Sequence, residues 1–346
     1  VPDRETLRNF YTSPYLVDDA RYKRFHQKYT GFARVHWDES FKGYGKLIFD
    51  RAPDRVQKEI PGYSRIAYAM QAASWTVYDT FPGAFSWNRI GDMEEGVGPV
   101  DRFQDPVTRE LGPLSVENPE ALTAEVKRAG QVFGAAAVGI AAVDPRWVYS
   151  HRMKGEALDL PEGVNRAVVM LIEMDDYGVA ASPAAVGGIA TGSGYSRMAF
   201  AQACMAEFLR NLGYRAVASG NDVALSVPQA IDAGLGEMGR NGLLIHPRFG
   251  QRVRICKVLT DLPLAADRPV SFGAKRFCRT CFKCAEACPS KSIPFDPDPT
   301  WEGPYDTPSN NPGVLKWFVN ADSCYAFWAA NTADCSNCIR VCPYTK

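Results

Sequence analysis

Cys278-Arg-Thr-Cys281-Phe-Lys-Cys284-Ala-Glu-Ala-Cys288-Pro289 places four cysteines at C-x2-C-x2-C-x3-C spacing and closes on Cys-Pro. A second set, Cys324, Cys335, Cys338 and Cys342-Pro343, closes on the same dipeptide near the C-terminus. This is the ligand pattern of a chain that holds two [4Fe-4S] clusters. It predicts an electron-carrying module at the C-terminal end, and makes what the preceding residues reduce the central question.

A [4Fe-4S] cube needs four convergent thiolates. Three cysteines at x2 spacing wrap one cube, while the fourth, one helical turn further on, points to its neighbour, as in two-cluster ferredoxins. On this reading Cys278, Cys281, Cys284 and Cys342 hold the first cluster, and Cys288, Cys324, Cys335 and Cys338 hold the second. One departure is visible: ten residues separate Cys324 from Cys335 where two are usual. Zinc favours paired C-x2-C knuckles, so a C-x2-C-x2-C run suits it poorly. Cysteines this close in sequence cannot form unstrained disulfides. Cys204 and Cys256 lie outside the pattern, in apolar stretches, and read as small buried hydrophobes.

The chain has 346 residues, 46% hydrophobic and 12% aromatic, enough for two domains or one large one with a cluster module. Lys+Arg and Asp+Glu are equal at 39 each, which argues against a nucleic-acid surface. No apolar run reaches transmembrane length, and no signal peptide is visible. The chain begins at Val1 instead of Met, which hints at removal of an N-terminal segment.

Three segments are expected. Residues 1–117 are rich in aromatics, Gly and Pro, with one helical stretch over 66–77 and a cluster of Trp75, Tyr78, Phe81, Phe85 and Trp87. Such a cluster is usually core packing, with a pocket wall as the other reading. Residues 118–270 show α/β patterning: a helix from Asn118-Pro119 to about Phe133, strands over 136–143, 167–174, 214–218 and 253–259, and a helix over 196–212 ended by Gly213. Ser219 to Asp222 reads as a turn, and Pro228 opens a short helix. Residues 271–346 form the cluster module. Gly234-Leu-Gly236-Glu-Met-Gly239 fits G-x-G-x-x-G but follows a helix and leads into a strand, the reverse of a dinucleotide site. Its glycines instead suit a backbone that lies against a flat ligand.

Further segments carry a resemblance. Gly194-Tyr195-Ser196-Arg197-Met198, Phe208 to Tyr214, Gly220-Asn221-Asp222, Ser226-Val227-Pro228 and Ala233 to Ile245, together with both cysteine runs, resemble the corrinoid- and iron–sulfur-dependent reductive dehalogenases, the tetrachloroethene group above all. The resemblance is strong over 190–346, fair over 118–175 and weak before that. It implies an α/β (α+β) fold: a nitroreductase-like core binding a cobalamin-type corrinoid base-off, a bacterial-ferredoxin-like 2[4Fe-4S] module after it, and an N-terminal region covering the substrate pocket. The chain lacks D-x-H-x-x-G, the motif that supplies a histidine to cobalt, and has only His26, His36, His151 and His246. The corrinoid contacts implied are Gly220, Asn221, Ser226, Val227, Pro228, Gly234, Leu235, Gly236, Gly239, Arg240, Asn241, Gly242 and Leu243.

Three positions match the family's catalytic residues: Tyr195 the proton donor, Asn221 the substrate-positioning amide, and Arg254 the tyrosine's basic partner. A phenol with a pKa of about 10 is a weak acid, and a fixed guanidinium beside it favours the tyrosinate. Ser196 reads as a helix N-cap, which would add the helix dipole behind Tyr195. The implied reaction is carbon–halogen cleavage in an organohalide by a Co(I) corrinoid, fed by an upstream electron donor through the outer and then the inner cluster. The resemblance also implies export by the Tat route, a peripheral position on the outer face of the cytoplasmic membrane through a small anchor subunit, and allows a homodimer. Two rivals stand beside it. Epoxyqueuosine reductase would need a basic tRNA-binding surface and an acidic catalytic residue, where this chain is neutral and carries Tyr195. A corrinoid-free electron-transfer subunit would leave the Gly-rich stretch and the Tyr195–Asn221–Arg254 spacing without a role.

Overall fold

A computed structural model describes residues 2–80 and 110–345. Its helices are α1 (Arg4–Thr12), α2 (Gly31–Arg34), α3 (Ala52–Gln57), α4 (Arg65–Thr80), α5 (Pro119–Val132), α6 (Asp176–Ala181), α7 (Gly187–Asn211), α8 (Ser226–Asp232), α9 (Ala274–Cys278), α10 (Lys283–Glu286), α11 (Ala321–Asn331) and α12 (Asn337–Arg340). The strands are β1 (Ala137–Ala142), β2 (Arg166–Glu173), β3 (Ala216–Ser219), β4 (Glu237–Met238), β5 (Leu244–Ile245) and β6 (Val253–Thr260).

Four strands form one sheet in the order β1-β2-β6-β3, each neighbour antiparallel, and β4 pairs with β5 alone. Strand β2 reads Arg-Ala-Val-Val-Met-Leu-Ile-Glu and is apolar in both alternating sets because both sheet faces are covered. Val169 and Leu171 join a core with Ala230 and Ile231 of α8. Val168, Met170 and Ile172 join a second core with Val126 of α5 and Met198, Met205 and Leu209 of α7. Helix α5 starts where its sequence directs: the Asn118 side chain accepts from the Ala121 N–H at 2.9 Å and Pro119 occupies the first turn.

Helix α7 departs from the expectation. It begins at Gly187, nine residues before Ser196, so Tyr195 and Ser196 lie inside the helix and no N-terminal dipole stands behind the phenol. The run Gly187-Gly188-Ile-Ala-Thr-Gly192-Ser-Gly194 reads locally as loop, yet its glycines are contact points. A Cβ at Gly188 would stand 2.2 Å from the Gln71 side chain, and one at Gly192 2.7 Å from the Trp75 ring. Close packing against α4 outweighs the poor helix propensity of glycine, about 1 kcal/mol per residue. Phe81, Phe85 and Trp87 lie outside the described residues.

The N-terminal stretch is short helices and connections strapped to the C-terminal module. Buried Lys275 donates to the carbonyls of Phe10 at 2.5 Å and of Ser13. Buried Arg34 pairs with Asp322 and Asp38, each at 2.7 Å. No helix among the described residues is long and apolar enough to cross a membrane.

Where β1 meets the end of α8, a Cβ at Gly139 would stand 2.2 Å from the Ala233 carbonyl oxygen. The obstacle is backbone, which cannot rotate aside. Gly139→Ala should therefore lower stability by about 1–3 kcal/mol, measured as a shift in the denaturant midpoint; an unchanged midpoint would mean that β1 and α8 are not in this contact.

Candidate active site and cysteine clusters

Tyr195 projects from α7 and is half-buried. Its ring stacks on Trp75 (centroids 4.9 Å apart, planes at 22°) and meets Tyr78 edge-on at 5.2 Å. The side-chain amide of Asn221 donates to the phenol oxygen at 2.5 Å. That leaves the phenol's own proton free for another acceptor. The Arg254 guanidinium lies over the ring, 5.0 Å from its centroid, and donates to Thr191 Oγ1 at 3.0 Å. It holds the tyrosine as a cation over a π face; no hydrogen bond to the phenol oxygen is formed. A Cβ at Gly194 would stand 2.9 Å from Arg254 Cγ, so glycine there lets the arginine pass beneath the helix. The three residues expected as a catalytic trio thus meet at one point.

The turn that carries Asn221 is held from several directions. Fully buried Lys257, on β6, donates to the Gly220 carbonyl at 2.5 Å and to Ser226 Oγ at 3.0 Å. Tyr149 OH donates to the Asn221 carbonyl at 3.2 Å, and the Gly220 N–H donates to Asp222 Oδ1 at 2.9 Å. Val223 adopts φ 64°, a conformation costly for a β-branched residue, and the Ala224 N–H closes back on the Asp222 carbonyl at 2.7 Å. Burial pushes Lys257 down to about 8, with Asp222 acting in the opposite sense.

A cavity of about 1450 Å³ opens in front of this group. Its walls include Trp75, Tyr78, Tyr149, Tyr195, Phe318 and Trp328, and they come from the N-terminal stretch, the sheet core and the C-terminal module alike. Trp75 and Tyr78 therefore serve as pocket wall as well as packing. Asp334 also lines it. Burial raises this carboxyl to about 6, against the pull of Arg254 and a hydrogen bond from Thr191. Thr191, which accepts from Arg254, and the guanidinium itself both act on this carboxyl, the residue before Cys335. None of the four histidines lines the cavity. His26 stacks on His151 at 4.7 Å, and His246 stacks on Phe249 at 4.8 Å.

The expected cofactor contacts divide into two groups. Gly220, Asn221, Ser226, Val227, Pro228, Asn241 and Gly242 line the cavity. Gly234, Leu235, Gly236, Gly239, Arg240 and Leu243 stand away from its wall. Gly234 backs onto the Arg268 carbonyl at φ 72°, and a Cβ at Gly236 would meet the Ile245 carbonyl oxygen at 2.2 Å. The glycines fold the chain into the β4–β5 hairpin, and the hairpin grips α9 at both ends. Buried Glu237 accepts from the Ala274 N–H at 2.5 Å at the N-terminus. Arg240, 1% exposed, donates to the Cys278 carbonyl at 2.6 and 3.1 Å at the other end. Its Nε is shared with the Cys281 carbonyl (3.2 Å), and Nη1 reaches the carbonyls of Pro294 (3.0 Å) and Asp296 (2.5 Å), with the guanidinium over the rings of Phe282 and Trp317. An acid at the start and a base at the end of a helix both complement its dipole.

All ten cysteines are free. Cys278, Cys281, Cys284 and Cys342 line one small cavity together with Arg240, Asn241 and Gln251. Cys324 feels Cys338, Cys288 and Cys335 electrostatically, and Cys284 feels Cys278, Cys338 and Cys342. The eight thiols thus gather as two neighbouring groups, with Cys284 of one feeling Cys338 of the other. Burial pushes Cys284, Cys324 and Cys338 up to about 12. Of the outliers, Cys256 is fully buried and Cys204 only partly. Asn241 sits at the junction: it lines both cavities, bonds reciprocally with Gln251 at 2.7 and 2.8 Å, and acts against the burial that raises Cys338.

The profile of a 4Fe-4S dicluster domain matches residues 277–346, and that of a reductive dehalogenase subunit matches residues 149–264. A tetrachloroethene reductive dehalogenase of Desulfitobacterium hafniense is 38% identical over 77% of this chain and 53% of its own length. The chain therefore spans about half of that relative. The tetrachloroethene reductive dehalogenase of Sulfurospirillum multivorans is 30% identical over 96% of this chain and 75% of its own length. Among solved structures, the catabolic reductive dehalogenase NpRdhA, in complex with 3-bromo-4-hydroxybenzoic acid, superposes with a TM-score of 0.68 at 22% identity, over 96% of this chain and 43% of that one. Its likeness establishes a shared fold, and the extent and identity of the Sulfurospirillum match establish that this chain belongs to the reductive dehalogenase family.

Proposed function

We propose that the chain is a reductive dehalogenase that replaces the halogen of an organohalide by hydrogen. The observation that carries the reading is Tyr195, with its proton free and its oxygen and ring held by Asn221 and Arg254, on the wall of a large aromatic cavity backed by two groups of four thiols. The overall change is R–X + 2 e⁻ + H⁺ → R–H + X⁻. The two electrons come from an upstream donor through the cysteine sites, and Tyr195 supplies the proton. Asn221 keeps the phenol oxygen oriented and donates to it as negative charge develops there. Arg254 adds a fixed positive charge 5.0 Å from the ring centroid.

A cavity of about 1450 Å³ exceeds what a small halide needs; pockets for drug-sized ligands span about 300–1,000 Å³. Its size, its aromatic walls and the backbone-rich wall at Gly220, Pro228 and Gly242 suit a corrinoid. Gly220, Asn221, Ser226, Val227, Pro228, Asn241 and Gly242 would hold it, with no histidine ligand from the chain. When bound, the corrinoid supplies the strongly reducing cobalt that breaks the carbon–halogen bond. Cys278, Cys281, Cys284 and Cys342 would hold one [4Fe-4S] cluster, and Cys288, Cys324, Cys335 and Cys338 the other. The second set is the inner one: Val319, Ala321, Trp328 and Asp334, neighbours of its ligands in sequence, line the large cavity. Partners in this reading are the electron donor and a small membrane-anchor subunit.

Tyr195→Phe keeps the ring on Trp75 and deletes the proton. Halide release per bound cobalt should fall about 10²–10⁴-fold, with iron content unchanged. Arg254→Lys keeps charge but loses the flat face over the ring, and should also be impaired. Near-normal turnover in Tyr195→Phe would show that another group delivers the proton.

Arg240→Met strips the donors from the Cys278, Cys281, Pro294 and Asp296 carbonyls. Iron should drop from about eight to about four per chain as the first cluster is lost, while Arg240→Lys should fall short of wild type because one ammonium cannot span those acceptors. Full iron in Arg240→Met would show that the first cysteine loop keeps its shape without the clamp.

A further inference from the structure

Desolvation pushes three lysines down to about 8: buried Lys257 and Lys275, and half-buried Lys316. The first two donate to protein oxygens. Lys257 reaches the Gly220 carbonyl and Ser226, and Lys275 reaches the Phe10 and Ser13 carbonyls. Lys316 differs. Its backbone is pinned by paired hydrogen bonds with Thr300 at 2.9 and 3.0 Å. Its side chain lines the large cavity with the ammonium 4.8 Å above the Phe318 ring, and nothing but burial moves its pKa. Among the described residues no carboxylate, carbonyl or hydroxyl accepts from it. A second orphan shares the cavity: the buried side-chain amide nitrogen of Asn310 has no acceptor among the described residues.

A half-buried ammonium that lines the cavity with no acceptor among the described residues is placed to meet an anion brought by a ligand. Of the other cations on the cavity wall, Arg254 already faces Tyr195, Thr191 and Asp334, Arg152 has a partner of its own, and Lys154 is exposed. We propose that Lys316 binds the phosphodiester of the corrinoid's nucleotide tail. The inference rests on the corrinoid reading above and names the part of the molecule that meets this residue. A corrin ring presents neutral amide side chains, which need hydrogen-bonding partners but no counter-charge. The phosphodiester is the fixed anion of a complete corrinoid, and lysine serves phosphates as a compact point charge. Lys316 thus anchors the tail at a distance from the reacting centre and selects complete corrinoids over tail-less ones.

The test is anaerobic binding of two corrinoids to cluster-loaded, corrinoid-free protein, followed by visible absorption: a complete cobamide, and cobinamide, which has the ring but no phosphodiester. Lys316→Met should weaken the cobamide at least about tenfold and leave cobinamide within about twofold. Lys316→Arg, which keeps the charge, should recover most of the loss. Iron content of each variant confirms that the fold is intact. Equal cobamide affinity in wild type and Lys316→Met, or equal weakening of both corrinoids, would overturn the assignment. Failure of the wild type to bind either one would overturn the corrinoid reading itself, and this inference with it.

Discussion

Alternation along β6 sets the geometry of the active site. Successive residues of a strand face opposite sides of the sheet. Arg254 therefore emerges on the face covered by α7 and lies over the ring of Tyr195. Lys257 emerges on the other face and holds the Gly220 carbonyl and Ser226, on either side of Asn221. One strand thus steadies both partners of a single hydrogen bond, the Asn221 amide to the Tyr195 oxygen. A slip of one residue in its register would exchange the two faces and dismantle the site. The register is secured by pairing on both edges, with β2 and with β3.

The β4–β5 hairpin couples that core to the cysteine module. Glu237 and Arg240 lie three residues apart and reach opposite ends of α9, whose last residue is Cys278. Asn241 follows directly and faces the large cavity, the first cysteine group and Cys338. Three consecutive functions, capping a helix, bracing a cysteine loop and bordering the cavity, thus fall within five residues. This compactness explains the dense glycine there: the backbone must turn tightly at Gly234, Gly236 and Gly242, all at φ between 72 and 157°.

Much of this was legible in the chain. The four long strands fall within about two residues of their expected ends, because their apolar runs are short and bounded by turn residues. Cys278, Cys281, Cys284 and Cys342, the last far from the others in sequence, line a single small cavity. What escaped was decided by partners distant in sequence. The start of α7 depends on α4, more than a hundred residues earlier, and no local signal marks Gly187 to Gly194 as helix. The Gly-rich stretch advertised a close approach but not what approached it; Arg240 and the hairpin glycines serve α9 and β5. Lys257 carried an unused clue, since a lone lysine inside Val-Arg-Ile-Cys-Lys-Val-Leu-Thr must find polar partners wherever both faces are buried. Asp334 gave none, because its nearness to Arg254 exists only in three dimensions.

The account stands on one chain joining a corrinoid in the large cavity to two clusters behind it. Metal analysis of anaerobically purified protein, read with the paramagnetic resonance of the partly reduced sample, tests that arrangement directly. The expected result is about eight iron and one cobalt per chain, with two [4Fe-4S] signals that interact magnetically. Dehalogenation at full rate by protein that contains iron but no cobalt would contradict it.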